Sequence, residues 1–442
     1  MNVAVIGSGY VGLVSAVGLA KLGHDVTAID VDHARVAMLE RGEAPFHEPG
    51  LVEALGELLA GGSFRVTGSF AAAAAADVIL LCVQTPPLPS GAVELSFVED
   101  AARTLAEALV ASEPRRRVVA VRSTVPPGTN QRLLAPLLSG VDTAVASNPE
   151  FLREGSALDD FLHADRIVVG VEEPWAAEMM TDLYAPLAAP IIVTTPGTAE
   201  LAKYASNAFL ATLVSFSNEM AHLCEATPGV DVEDVLGIVH GDRRLAGDGG
   251  RAGIVSYLKA GCGYGGSCLP KDLGALIAYG RDSGETLALL QAVESVNRNQ
   301  AGRLAELAER SLGGLRGRRI AVLGAAFKAG TDDMRDSPAV RVVGELLERG
   351  AVVAVYDPLV ASERLRDALP DGVEVRANLA AAIADADACL VTTLDPEFFQ
   401  LDRLLRERNG TRPVVVDGRR GISAAGFPDS GYVGVGRAGP WS

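Results

Sequence analysis

The first twelve residues, MNVAVIGSGYVG, leave few folds open. A short β-rich run, Asn2–Ile6, leads directly into Gly7-Ser8-Gly9-Tyr10-Val11-Gly12 and an apolar stretch that predicts a helix through about Leu22. The G-x-G-x-x-G pattern is weak alone and gains meaning between a strand and a helix, which is where it stands here. In that setting Gly7 permits the tight turn, Gly9 lets the backbone approach a pyrophosphate, and Gly12 lets helix and strand pack closely. The helix N-terminus then offers unpaired N–H groups to phosphates. The next predicted strand, Asp25–Ile29, is followed by Asp30, eighteen residues beyond Gly12. An acid there accepts hydrogen bonds from ribose hydroxyls and repels a 2′-phosphate, so NAD is expected rather than NADP. Arg35 nearby weakens that exclusion slightly.

The alternation continues through strands expected at Val78–Val83, Val118–Val121 and Thr143–Ala146, with Ala71–Ala76 as a short helix between two of them. This pattern implies a parallel sheet covered by helices on both faces. From Thr198 to Glu225 there is neither Pro nor Gly, which predicts one long helix. A Gly-rich, weakly patterned stretch follows over about Gly241–Gly266, and then a helix pair between Asp272 and Ser311. At Arg318 the opening pattern returns, with strands expected at the start of RRIAVLGAAF and at Ala351–Tyr356, Ala388–Thr392 and Pro413–Val416. This second α/β region lacks a full G-x-G-x-x-G and need not bind a dinucleotide in the same way. The divisions are 1–197, 198–311 and 312–442.

Hydrophobic residues make up 48% of the chain and charged residues 21%, which suits a packed globular protein and not a disordered one. The net charge of -17 argues against a nucleic-acid-binding surface, though a few cations and N–H groups can still hold an anionic small ligand. The apolar runs stop well short of the roughly 20 residues that cross a bilayer, and the N-terminus has no signal-peptide pattern. A cytoplasmic protein without a membrane partner is expected. Five scattered Cys fit a reducing compartment, and neither they nor the six His show metal-ligand spacing, so no metal is expected.

Gly265-Gly266-Ser267-Cys268-Leu269-Pro270-Lys271-Asp272 carries the second chemical signal. Glycines before the Cys allow close approach of a ligand, and Pro270 suits the first turn of a helix. A Cys just ahead of a helix N-terminus and near a Lys favours the thiolate. Cys82, Cys389 and Cys224 read instead as buried hydrophobes. An aldehyde cannot give up hydride until a nucleophile adds to it, so a thiolate beside NAD points to aldehyde-level or four-electron oxidation.

These segments bring the chain to a known pattern. It closely resembles the UDP-glucose/GDP-mannose dehydrogenase family along nearly its whole length. The resemblance runs through GSGYVG, Thr85-Pro86-Pro87, Ser123-Thr124-Val125-Pro126, the run Asn148–Gly155, Glu200–Lys203 with Asn207-Ala208-Phe209, and GGSCLPKD. It continues through Gly324–Lys328 with Asp333 and Arg335, Tyr356-Asp357-Pro358, and Asp417-Gly418-Arg419. It implies two Rossmann-like parallel-sheet domains joined by a central helical region with one long helix, through which family dimers pack, and so a homodimer. It implies Cys268 as nucleophile, Lys203 and Asn207 at the reacting carbon, Asp272 positioning Lys203 and a water, Glu150 as general base and Thr124 holding water. Thr85, Thr124, Glu154, Lys271 and Arg335 would touch NAD. Phe151, Leu152, Arg153, Tyr257, Gly265, Phe327, Lys328 and Arg419 would join Lys203 and Asn207 in holding a nucleotide sugar, with UDP-glucose the first choice. The site is expected between the two α/β domains. Without the resemblance, Lys203 and Asn207 read as one solvated helix face, since residues four apart point the same way.

Many family members carry an Arg-Ile-Gly before the Tyr257 position, whose Arg reaches a neighbouring subunit's ligand. Here that segment is GDRRLAGDGGRAGIVSY, where Arg251, Arg243 or Arg244 can substitute, or none does. This leaves dTDP-glucose, GDP-mannose and UDP-N-acetylhexosamines open as substrates. Two further readings are a two-electron dehydrogenase of the 3-hydroxyacid type and a non-catalytic NAD-binding regulator. GGSCLPKD and the second α/β region speak against the first. The second has no need of Cys268, Lys203 and Asp272 together.

Overall fold

The computed structural model describes residues 1–247, 250–251, 253–408, 411–427 and 431–437. They form two compact units, Met1–Ser206 with Gly274–Glu285, and Asn207–Leu273 with Thr286–Ser442.

The first unit is built on an eight-stranded sheet. Its strands are β1 Asn2–Ile6, β2 Asp25–Ile29, β3 Phe64–Thr67, β4 Val78–Leu81, β5 Arg117–Val121, β6 Thr143–Ser147, β7 Ile167–Gly170 and β8 Ile191–Thr194, in the order β3-β2-β1-β4-β5-β6-β7-β8. All four residues of β4 and all five of β5 are buried, because helices cover both faces. One apolar cluster joins Val3, Val5, Leu80 and Val118 to Leu13 and Val17 of the first helix, Tyr10–Lys21. On the opposite face Ala4, Ile79 and Val119 pack with Leu105 and Leu134. The run at Ala71 is a 3-10 helix, Phe70–Ala75.

The first sheet is parallel except at one junction. β7 meets β6 antiparallel, through the single pair Ser147 and Gly170. The connection between them carries only the six-residue helix Ala157–Leu162, about 9 Å long at 1.5 Å per residue, too short to recross the sheet.

The second unit repeats the plan. Strands β9 Ala246–Gly247 and β10 Gly250–Arg251 form a small ribbon. The main sheet has β11 Arg319–Leu323, β12 Val352–Tyr356, β13 Glu374–Val375, β14 Ala388–Val391, β15 Val414–Asp417 and β16 Tyr432–Gly434, all parallel, in the order β13-β12-β11-β14-β15-β16. This is the order of the first six strands of the first sheet, with the reversal beside the opening strand in both. Both are Rossmann-like. The long helix spans Pro196–Glu225, and the helix pair is Leu269–Asp282 and Ala288–Leu312. Among the described residues no helix is long and apolar enough to cross a membrane.

Candidate active site

The dinucleotide turn shows three different reasons for glycine. Gly7 has φ +93°, and a Cβ there would lie 2.6 Å from the Cys82 carbonyl oxygen. A Cβ on Gly12 would run into the Gly7 carbonyl oxygen, whereas one on Gly9 would meet nothing within 4 Å. Gly7 and Gly12 therefore serve the fold, while Gly9 faces open space. The helix Tyr10–Lys21 starts with no capping side chain and no acid in its first turn, which leaves its N–H groups for an anion. Ser8 is fully buried and its Oγ has no partner in the protein, an atom that a bound dinucleotide would satisfy. Asp30, 4% exposed, accepts from the Ser8 N–H at 2.7 Å, the Asp32 N–H at 3.0 Å and Arg35 Nη1 at 3.0 Å. The Val11 carbonyl accepts from Ser15 Oγ at 2.6 Å.

The Tyr10 side chain turns to protein. Its hydroxyl donates to the buried Glu48, and burial followed by that partner pushes the phenol well above its ordinary range. Glu48 in turn accepts the N–H groups of Gly155 at 2.8 Å and Ala157 at 2.7 Å. Sequence reasoning missed this carboxylate, which fixes the segment after Glu154. Thr85 Oγ1 donates to the Thr124 carbonyl oxygen at 3.1 Å. The loop that follows Thr124 is clamped by Glu200, also missed, through the N–H groups of Gly128 at 2.5 Å and Asn130 at 3.0 Å.

Lys203 is only 4% exposed and Glu150 only 6%, so Lys203 is not on a solvated face. Lys203 Nζ lies 3.1 Å from Glu150 Oε1, and the Leu152 N–H donates to Glu150 Oε2 at 2.6 Å. Burial alone would push the Glu150 carboxyl up, but Lys203, the Leu152 N–H and Arg122 outweigh it and hold it below the usual range. Removing one member of such a buried pair costs roughly 3–5 kcal/mol, because the other charge is left in low dielectric. The Phe151 ring carries cations at 5.4 Å (Lys203 Nζ) and 4.1 Å (Arg166). Arg153 reaches Asp160, with Nε 3.0 Å from Oδ2.

Cys268, in the second unit, is exposed, whereas Cys82 of the first unit and Cys224, Cys262 and Cys389 of the second are buried. Its carbonyl accepts the Asp272 N–H at 2.8 Å, so the thiol stands at the opening turn of the helix Leu269–Asp282. Asp272, 1% exposed, accepts from Asn207 Nδ2 at 2.6 Å and from Lys271 Nζ at 2.6 Å. Asn207 is itself 6% exposed, so the solvated reading fails for it too.

The loop that delivers Cys268 is held from several directions. The amide of Asn297 pairs with one residue of it, accepting the Tyr264 N–H at 2.8 Å and donating to its carbonyl at 3.0 Å. Asn218 accepts the Gly261 N–H at 2.8 Å, and Gln300 donates to its carbonyl at 2.6 Å. Gly265 has no room for a side chain beside the Asp336 carbonyl, and a Cβ on Gly266 would lie 2.7 Å from the Phe327 ring. Arg419 donates to the Phe327 carbonyl at 3.2 Å and the Thr392 carbonyl at 2.7 Å. Lys328 Nζ lies 5.9 Å from the Phe327 ring, and Arg335 is paired with Asp333 at 2.7 Å. Tyr257 ends a 3-10 turn, Gly253–Tyr257, and is half-buried. Arg243 and Arg244 are exposed, Arg244 against Asp242. Arg251 sits on β10 by its backbone, and its side chain lies outside what the structure describes. Asn218, Asn297 and Gln300 had one sequence signal, amides inside helical runs otherwise rich in Ala and Leu.

A turn fitted for a dinucleotide, together with an exposed thiol at a helix start, defines an oxidoreductase of the nicotinamide-dependent kind. Comparison with known proteins agrees. The chain matches the NAD binding domain of the UDP-glucose/GDP-mannose dehydrogenase family over residues 1–188, its central domain over 197–299 and its UDP binding domain over 321–424. It is 41% identical to UDP-glucose 6-dehydrogenase of Haloferax volcanii, covering 95% of this chain and 97% of that one. Among solved structures, a UDP-glucose dehydrogenase from Pyrobaculum islandicum is 42% identical with a TM-score of 0.90, over 99% of this chain and 98% of that one. A UDP-D-ManNAc dehydrogenase from Pyrococcus horikoshii is 30% identical with a TM-score of 0.84, over 99% of both chains. The chain belongs to the UDP-glucose/GDP-mannose dehydrogenase family. It is an NAD-dependent nucleotide-sugar dehydrogenase.

Proposed function

We propose that the chain oxidises the C6 alcohol of UDP-glucose to the carboxylate of UDP-glucuronate, with Cys268 as covalent nucleophile. The observation that carries this reading is the exposed Cys268 thiol at the start of a helix whose first turn holds Asp272 against Asn207 and Lys271. The turn at Gly7–Gly12, Asp30 and Thr85 would hold NAD, with Thr124, Glu154, Lys271 and Arg335. NAD, when bound, supplies the hydride acceptor for both two-electron oxidations. Lys203 and Asn207 stabilise the oxyanion at C6. Cys268 Sγ bonds to the aldehyde carbon to give a thiohemiacetal, and that bond is retained through the second oxidation as a thioester. Glu150, held anionic, takes a proton from the attacking water. Sulfur then leaves as thiolate and the product as carboxylate. Overall, one CH2OH and one water give one carboxylate, two hydrides and three protons.

Phe151, Leu152, Arg153, Tyr257, Gly265, Phe327, Lys328 and Arg419 are assigned to the nucleotide sugar. The enzyme is placed in the cytoplasm. It is read as a homodimer through the long helix, where Phe209, Phe216 and Leu223 stand 56%, 42% and 62% exposed at seven-residue intervals, an apolar stripe that a second copy would cover.

The test is the yield of NADH from limiting UDP-glucose with excess NAD. Two per substrate is expected. One would stop the reaction at the aldehyde and return Cys268 to a structural part, and none would move the substrate to another nucleotide sugar. Cys268→Ala should abolish net turnover while NAD still binds, and unchanged turnover would end the covalent mechanism.

A further inference from the structure

Arg122 is 5% exposed and lies just beyond β5, immediately before Ser123-Thr124. Burying such a charge costs several kcal/mol unless hydrogen bonds and an opposite charge offset it. Its bonds join its own segment to two others that carry candidate site residues. Nε donates to Ser15 Oγ at 2.7 Å, and Ser15 donates onward to the Val11 carbonyl in the dinucleotide turn at 2.6 Å. Nη1 donates to Asn148 Oδ1 at 2.9 Å and also meets the Asn148 carbonyl at 3.4 Å, two residues before Glu150. The same nitrogen lies 3.3 Å from the Tyr184 hydroxyl, and the Phe161 ring lies 5.6 Å from the guanidinium carbon. All these partners are neutral.

We infer that Arg122 is a positioning residue: it ties the dinucleotide turn, the Thr124 loop and the Glu150 loop into one rigid frame and places a second buried cation beside the segment that carries Glu150. The inference rests on the reading of Glu150 as general base. Among the described residues, the ionisable groups acting on Glu150 include Lys203 from the long helix, Arg122 from the end of β5 and the Cys82 thiol beyond β4. Lys203 carries the larger attraction, and Arg122 adds to it.

The sign follows from the charge. Glu150 must be anionic to take a proton, so turnover falls as pH drops through its folded pKa. Removing a nearby cation raises that pKa and moves the acidic limb up the pH scale.

The experiment is the pH profile of kcat for Arg122→Gln and Arg122→Lys against the parent enzyme. Arg122→Gln should move the acidic limb up by roughly one pH unit, with KM for the nucleotide sugar within about twofold. Arg122→Lys keeps the charge and should keep the limb, but its shorter ammonium cannot reach Ser15 and Asn148 together, so kcat should fall several-fold. An unmoved limb in folded Arg122→Gln overturns the electrostatic part. Parent-level kcat in Arg122→Lys overturns the framing part, and that variant carries the test alone if Arg122→Gln does not fold. Glu150→Gln separates the layers. If it keeps full turnover, the general-base reading falls and this inference with it. If it is inactive while Arg122→Gln keeps the parent limb, only the inference about Arg122 falls.

Discussion

A methyl group added at Gly12 would collide with the Gly7 carbonyl oxygen, while one added at Gly9 would meet no atom within 4 Å. These neighbours in one motif should therefore fail in different ways. Gly12→Ala should destabilise the fold by roughly 1–3 kcal/mol, the usual result of overpacking, seen as a lower thermal midpoint. Gly9→Ala should leave the midpoint almost unmoved and weaken NAD binding about tenfold or more, or 1.4 kcal/mol, by titration calorimetry. Parent-like NAD affinity in Gly9→Ala would show that the pyrophosphate does not approach there. The glycine pattern and Asp30 were legible because each stands at a fixed offset from a strand. Lys203 was not legible from pattern alone. Its partner Glu150 lies fifty-three residues earlier, and a lysine on a helix looks solvated until that partner is found. Arg122 was hidden for the same reason, since its acceptors come from residues 15, 148 and 184.

The segment Gly261–Ser267 has almost no regular structure, yet most of it is buried. Its backbone polar groups must therefore find side chains, and helix Ala288–Leu312 provides them, with Asn297 matching both groups of Tyr264. Asn297→Ala should leave the buried Tyr264 N–H without its partner, costing about 1–3 kcal/mol, while the carbonyl keeps its bond from Arg341 at 3.0 Å. It should also slow alkylation of Cys268 by iodoacetamide or make it biphasic, as the loop samples several positions. A parent-like alkylation rate together with a parent-like melting midpoint would show that Asn297 does not hold the loop. The opening helix, the long helix and the central strands came easily from the sequence. Asp25–Ile29 matches to the residue, and the long helix extends the expected span by one turn's fraction, to Pro196. Three strands that escaped, Phe64–Thr67, Ile191–Thr194 and Glu374–Val375, are short and stand at sheet edges, without a clean buried alternation.

The stripe on the long helix predicts how copies of the chain associate. Phe216→Glu would place a charge at its middle, and light scattering after gel filtration should then report a monomer, against the dimer expected of the parent. An unaltered dimer would move the interface elsewhere. The repeated strand order also separates two fates of one acid. Asp357, at the end of β12, receives four N–H groups from its own surroundings, those of Ala325, Ala326, Leu359 and Val360. A carboxylate has about four lone-pair sites, so none remains for a sugar hydroxyl. Asp30, its counterpart after β2, has three donors, one of which is a movable arginine. The two halves therefore look alike to any reading of strands and glycines, and they diverge in spare acceptor capacity. One acid is sealed into its sheet by backbone N–H groups, and the other keeps acceptor capacity to spare.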